Sequence, residues 1–403
     1  MEKVEASQPR HGRPLDGVVV LSLEHAVAAP FCSRQLADYG ARVIKIERPG
    51  SGDFARRYDS AVNGLSSYFV WLNRSKESLT LDVKHAAARD VLDALLPRVD
   101  VLIQNLAPGA ASRLGLDYGS LSARFPRLIV IDISGYGDSG PFRDKKAYDL
   151  LVQAESGLIS VTGSDETPAR CGVSIADIAA GMYAYSGTLM ALFQRERTGR
   201  GTRVEVSMLE ALSEWMSQPR YFADGTGDSP PRSGASHPSI APYGPHRAGD
   251  GQEVLFGIQN EREWSRFCAE VLEEAPLATD ARFATNVDRV ANREALTRAI
   301  EDAFAARSSA QIIADLDRAG IANGRMTGAR DARHHEQLAA RGRWQPVGSP
   351  AGSIDATLPP MNLEGVEPVM GDVPGVGTHT NAILRELGFS DDRVAALRAE
   401  GAV

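Results

Sequence analysis

Residues 18–46 read VVVLSLEHAVAAPFCSRQLADYGARVIKI, and this stretch decides the fold. Val18 to Leu23 is a short, nearly continuous apolar run, the pattern of a strand buried on both faces of a parallel sheet. Pro30 stands where a helix can begin, Phe31 to Tyr39 has helical character, and Gly40 supplies the stop. Ala41 to Ile46 is a second apolar run. Strand, helix and strand in this order form a βαβ unit, whose right-handed crossover brings the two strands together in parallel.

The alternation continues outward. Helices are predicted over residues 86–96, 148–156, 177–196 and 209–216, and strands over 99–104, 128–133 and 202–207. Gly, Pro, Ser and Asp then dominate from Asp224 to Pro245, the composition of a linker or an active-site loop. Beyond it come a strand at 253–258, a helix at 261–272 and largely helical sequence from Asn292 to Leu316. The chain after Arg343 is loop-rich and closes on a helix near 380–387. The expected fold is α/β: a Rossmann-like large domain over 1–223, a smaller α+β domain over 224–330, and a C-terminal return over 331–403.

Composition narrows the function. The 403 residues are 43% hydrophobic and 24% charged, enough for a sizeable core. A net charge of -8 disfavours non-specific attraction to nucleic acid or anionic membrane. Three widely spaced cysteines give no disulfide or metal framework and fit a reducing, cytoplasmic setting. Met1 to Pro14 is polar and reads as a disordered lead-in. From Cys171 to Gln194 the sole charged residue is Asp177, but the Gly, Ser, Ala and Tyr content favours a buried helix over a membrane span.

Several chemistries are disfavoured directly. The first turn, His25 to Pro30, lacks the glycines that bring backbone close to a pyrophosphate, so Glu47 at the end of the second run does not make a dinucleotide site. No Walker loop and no Gly-x-Ser-x-Gly elbow is present. The adjacent His334 and His335 lack zinc-site spacing. Basic residues gather instead: Arg42, Lys45, Arg48, Arg74, Lys76, Arg113, Arg143, Lys145 and Lys146. Many follow strand ends, where open α/β sheets bind ligands, so either a phosphate-rich ligand or a solvated rim explains them. Asp177 is a lone carboxylate among apolar neighbours at a helix start. It reads either as a cap or as a nucleophile whose ionised form the helix end favours.

Taken together, these segments resemble the family III CoA-transferases, the group that includes formyl-CoA, carnitine and succinate-type transferases and the related α-methylacyl-CoA racemase. The resemblance runs from Leu15 to about Leu387. It rests on Gly40-Ala41-Arg42-Val43-Ile44-Lys45-Ile46-Glu47-Arg48-Pro49-Gly50-Ser51-Gly52-Asp53, Leu72-Asn73-Arg74-Ser75-Lys76, Gln104-Asn105-Leu106-Ala107-Pro108-Gly109, Asp132-Ile133-Ser134-Gly135-Tyr136-Gly137, Ala176-Asp177-Ile178-Ala179-Ala180-Gly181 and Gly377-Thr378-His379-Thr380. It implies a homodimer of interlocked rings, Asp177 as the nucleophile, and coenzyme A or acyl-CoA as a substrate, with a carboxylic acid as partner and no permanently bound cofactor or metal. The family's CoA contacts map onto Val27, Ala28, Arg48, Leu72, Asn73, Arg74, Lys76, Asn105, Leu106, Ala107, Arg113, Lys146, Tyr148 and Asp149. Val27 stands where formyl-CoA transferases have glutamine. Their glycine run is replaced here by Gly234 to Gly244, which looks more like the members acting on succinate, malate, citramalate, itaconate or mesaconate. Arg232, His237 and Tyr243 are then the candidates for holding the distal carboxylate. The spans 211–216 and 260–264 resemble members that shift CoA within mesaconate. The racemases have histidine where this chain has Tyr148, and a phenol is a far poorer base than an imidazole near neutral pH.

Overall fold

The computed structural model describes residues 12–403, so residues 1–11 of the expected lead-in, Met1 to Pro14, lie outside the described residues. The chain divides into two compact units. The larger takes the chain up to Ser156, Cys171–Ser217 and Leu338–Val403; the smaller takes Gly157–Arg170 and Gln218–Gln337. The expected boundary at 223 lies inside helix Ser217–Thr226, and the division falls at the first residue of that helix.

The large unit is built on six parallel strands: β1 (Val19–Leu23), β2 (Arg42–Glu47), β3 (Lys76–Thr80), β4 (Val101–Gln104), β5 (Ile129–Ser134) and β6 (Arg203–Ser207). Their order is β3-β2-β1-β4-β5-β6. Chain direction across the sheet therefore reverses between β1 and β4, and a crevice opens beyond the C-terminal ends of these two strands. Leu21, Ile44, Leu102 and Val130 pack with helix Ala88–Leu95 and with Ile383, Leu384 and Leu397 from the end of the chain. β3 reads KESLT and gives no apolar signal, yet its Lys76 and Ser78 are buried. Their polar groups are satisfied internally, by Glu24 and Glu47 respectively.

The first crossover helix is Ala28–Asp38, which places Pro30 in its first turn, where a missing N–H is tolerated. It packs on the long helix Ile175–Thr198. The two backbones meet at Gly181, where an added Cβ would lie 2.6 Å from the Ala28 carbonyl oxygen and 3.1 Å from Phe31. Only hydrogen fits. Gly181→Val is expected to force the helices apart and destabilise the protein by about 1–3 kcal/mol, the usual range for overpacking. Urea unfolding measures this, and an unchanged midpoint would show that the helix pair yields freely.

The smaller unit holds an antiparallel sheet, β7 (Tyr243–Arg247), β8 (Glu253–Gly257) and β9 (Ala322–Arg325), in the order β7-β8-β9. Its core gathers Phe256, Trp264, Phe267, Phe283 and Phe304 with Ile312 and Leu316. A two-stranded ribbon, β10 (Trp344–Val347) with β11 (Ile354–Thr357), belongs to the larger unit. Among the described residues no helix is long and apolar enough to cross a membrane.

Candidate active site

A cavity of about 2120 Å³ opens at the C-terminal ends of β1, β2, β4 and β5 within the large unit. Its walls are the turns that follow these strands. The turns after β1 and β4 are pinned to each other: the His25 N–H donates to Asn105 Oδ1, and Asn105 Nδ2 returns a bond to the His25 carbonyl, both at 2.9 Å. Ala26 adopts φ 61°, an uncommon value for a residue with a Cβ, and its N–H points to Asp53 Oδ1 at 3.4 Å. The loop after β5 is held close to the segment preceding helix Asp149–Glu155. A Cβ at Gly135 would lie 2.1 Å from that of Ala147.

Beneath the first turn lies a cluster of buried charges. Lys45 Nζ is 2.7 Å from Asp53 and 3.4 Å from Glu24, and Lys76 Nζ is 2.7 Å from Glu24. Burial pushes the Glu24 carboxyl up, but Lys76 and Lys45 outweigh it and hold the group down at about 2. Asn73 accepts from both ammonium groups. Nearby, Arg74 and Arg34 share the buried carboxylate of Asp38.

These pairings divide the basic residues seen in the sequence. Arg48, Arg113, Arg143, Lys145 and Lys146 line the cavity, as do Val27, Ala28, Asn105, Leu106, Ala107, Tyr148 and Asp149. Leu72, Asn73, Arg74 and Lys76 do not. All are buried, and the polar groups of the last three are engaged inside the sheet layer. Arg42 opens β2 and is held in ion pairs with Glu77 and Glu386. In the small unit, Arg232 donates to the carbonyls of Ser160, Ser164 and Asp165, so its guanidinium braces a loop rather than standing open. His237 stacks on Tyr243, with ring centroids 5.4 Å apart.

The cavity also contains residues that sequence reading missed. His25, Phe54, Tyr58 and Tyr68 form a run of ring contacts along one wall, each pair 5.3–5.7 Å apart. Burial holds the His25 imidazole below its ordinary pKa, and its Nδ1 is buried without a hydrogen-bond partner. The available signal was position: His25 closes β1, where ligand-binding turns begin.

Asp177 faces this cavity as the third residue of helix Ile175–Thr198. It is not the cap. Ser174 holds that position and makes no side-chain capping bond. The helix-start amides are taken by another carboxylate: Asp149 Oδ1 accepts from the N–H of Ala176 at 2.8 Å and of Asp177 at 3.3 Å. The sequence reading expected the helix end to keep Asp177 ionised. Instead, burial and then the neighbouring Asp149 push its carboxyl up to about 7. A reaction that needs the ionised form is therefore expected to show kcat/KM falling about tenfold per pH unit below 7 and levelling above it. An acid limb at pH 4–5 would show that Asp177 is not the group that titrates.

The sequence profile of CoA-transferase family III matches residues 15–380. The chain belongs to that family. Among its relatives, the acetyl-CoA:oxalate CoA-transferase of Acetobacter aceti is 38% identical over 81% of this chain and 84% of that protein. The succinyl-CoA--D-citramalate CoA-transferase of Chloroflexus aurantiacus is 33% identical over 98% of this chain and 99% of its own length. A CAIB/BAIF family protein from Brucella suis superposes with a TM-score of 0.83 at 32% identity, covering 94% of this chain and 100% of that one. This family III enzyme is accordingly a CoA-transferase, and CoA thioesters are its substrate class.

Proposed function

We propose that this family III enzyme exchanges CoA between carboxylic acids through Asp177, with C4–C5 dicarboxylates as the acids served. The observation that supports it most is a single carboxylate of raised basicity facing a cavity large enough for a nucleotide thioester. The Asp177 carboxylate attacks the thioester carbonyl, the C–S bond breaks, and the electron pair leaves on the CoA sulfur. A mixed anhydride remains. The thiolate then attacks the Asp177 carbonyl carbon, releasing the donor acid as its carboxylate and leaving an aspartyl-CoA thioester. The acceptor acid repeats these steps in reverse. Two captures replace one difficult exchange between poor nucleophiles.

Arg48, Arg113, Arg143, Lys145 and Lys146 supply the charge that CoA phosphates require. The named activities of relatives on citramalate and glutarate support a dicarboxylate acceptor. Tyr148 supports transfer over racemisation, since no histidine stands beside Asp149. A second copy of the chain would cover Met190 and Phe193, exposed on the long helix, as expected for a homodimer in the cytoplasm.

The test is incubation with succinyl-CoA and a panel of acids, with hydroxylamine as a trap. A hydroxamate or CoA adduct on the Asp177 peptide, detected by mass spectrometry, is the expected result. Transfer without any such adduct would count against covalent capture.

A further inference from the structure

Helix starts normally stabilise a carboxylate, because unpaired N–H groups and the helix dipole both favour negative charge there. Here the residue treated as nucleophile lies in the first turn, yet a different carboxylate holds the amides. Asp149 reaches them from the helix Asp149–Glu155 and is itself fixed from behind. Gln153 Nε2 donates to its Oδ2 at 2.6 Å, and Gln153 Oε1 accepts from the Cys171 N–H at 2.9 Å. Gln153 is fully buried, so the relay from Cys171 through Gln153 to Asp149 is locked.

We propose that Asp149 is a positioning residue for the Asp177 nucleophile: it occupies the helix-start amides, denies them to Asp177 and leaves that carboxylate unquenched. This rests on the reading of Asp177 given above. Its consequence is asymmetric. A free Asp177 carboxylate is hydrogen-bond poor and faces a like charge, which keeps it basic and reactive. Once acylated, the side chain is neutral and the repulsion is gone. Asp149 thus disfavours the resting carboxylate relative to the covalent states, the direction that speeds capture.

Other ionisable groups near this helix do not duplicate the effect. Tyr58 interacts with Asp177 but is pushed up to about 12 by burial and by Asp53, and so stays neutral. Tyr148 precedes Asp149 as a phenol at the cavity wall. Arg34 and Asp38, on the packed helix Ala28–Asp38, are paired with each other. Glu210 accepts from Ser207 Oγ, Glu214 is exposed, Asp132 pairs with Arg203, and Glu155 pairs with Lys145.

The experiment compares the full-length protein with Asp149→Asn, which keeps an acceptor for the amides but removes the charge, and with Asp149→Glu, which keeps the charge. Two readouts are taken across pH 4–9: kcat/KM for CoA exchange, and carbodiimide labelling of the Asp177 peptide, which needs the protonated carboxyl and no turnover. In Asp149→Asn both midpoints are expected to move down by about one pH unit, a tenfold change in the ionised fraction below the midpoint, with a lower plateau rate. Asp149→Glu should stay near the parent midpoint. Unmoved midpoints in Asp149→Asn would overturn the proposal. A variant that folds poorly is still read by labelling after its native fraction is isolated by gel filtration. Should Asp177→Asn retain exchange, the nucleophile assignment falls on its own, while labelling still reports whether Asp149 tunes Asp177.

Discussion

Replacing Asp177 by Asn is expected to lower CoA exchange by at least about a thousand-fold, equivalent to about 4 kcal/mol of transition-state stabilisation. The amide matches the carboxylate in shape, so cavity and fold are retained, but it offers no competent oxygen nucleophile to the thioester. The stability change should run the other way. A carboxyl raised from 3.8 to about 7 binds more protons folded than unfolded, so it weakens the fold as pH rises through that window. Asp177→Asn removes this penalty. Above pH 7 the variant should be more stable, by on the order of 1 kcal/mol once screening by cavity water is allowed for. Steady-state exchange and denaturant melts at pH 5 and pH 8 measure both. Exchange within tenfold of the parent would rule out Asp177 as the attacking group.

The second large effect lies under the first turn. Lys45 is fully buried between Asp53, Glu24 and Asn73. Lys45→Met would leave Asp53 without its cation, and breaking a buried pair in this way costs about 3–5 kcal/mol. An exposed pair gives the contrast: removing Arg89 from Asp93 should cost less than about 1 kcal/mol. The loss should reach function too, because Asp53 also holds the Ala26 N–H at the cavity wall. Urea unfolding of Lys45→Met and Arg89→Ala compares them, and equal midpoints would mean that the buried cluster adds no stability.

These residues also show where sequence reading succeeds and where it stops. β1, β2 and β4 are apolar enough to announce themselves, and the turns after β2 and β4, with Arg48 and Asn105, follow from strand-end logic. β3 was missed because Lys76 and Ser78 look solvated until Glu24 and Glu47 are seen, partners 52 and 31 residues away in sequence. Arg74 and Lys76, which the resemblance maps as CoA contacts, are likewise held by buried partners that sequence does not show. Sequence shows a charge, while only the fold shows whether that charge is already answered. Asp177 follows the same rule. Its helix start was legible to within two residues, but the carboxylate that takes the amides comes from 27 residues upstream.

The sheet's outer edge at β3 is sealed by a late segment of the chain. The His379 N–H donates to the Ser78 carbonyl, His379 Nδ1 accepts from the Ser78 N–H, and Thr380 Oγ1 accepts from the Thr80 N–H. During synthesis those strand groups therefore wait roughly 300 residues for their partners, about 15–60 s at 5–20 residues per second. Throughout that interval a bare parallel edge trails from the ribosome, open to any neighbouring nascent strand. A chaperone that shelters this edge during translation is therefore expected to raise the yield of folded enzyme without altering its final stability.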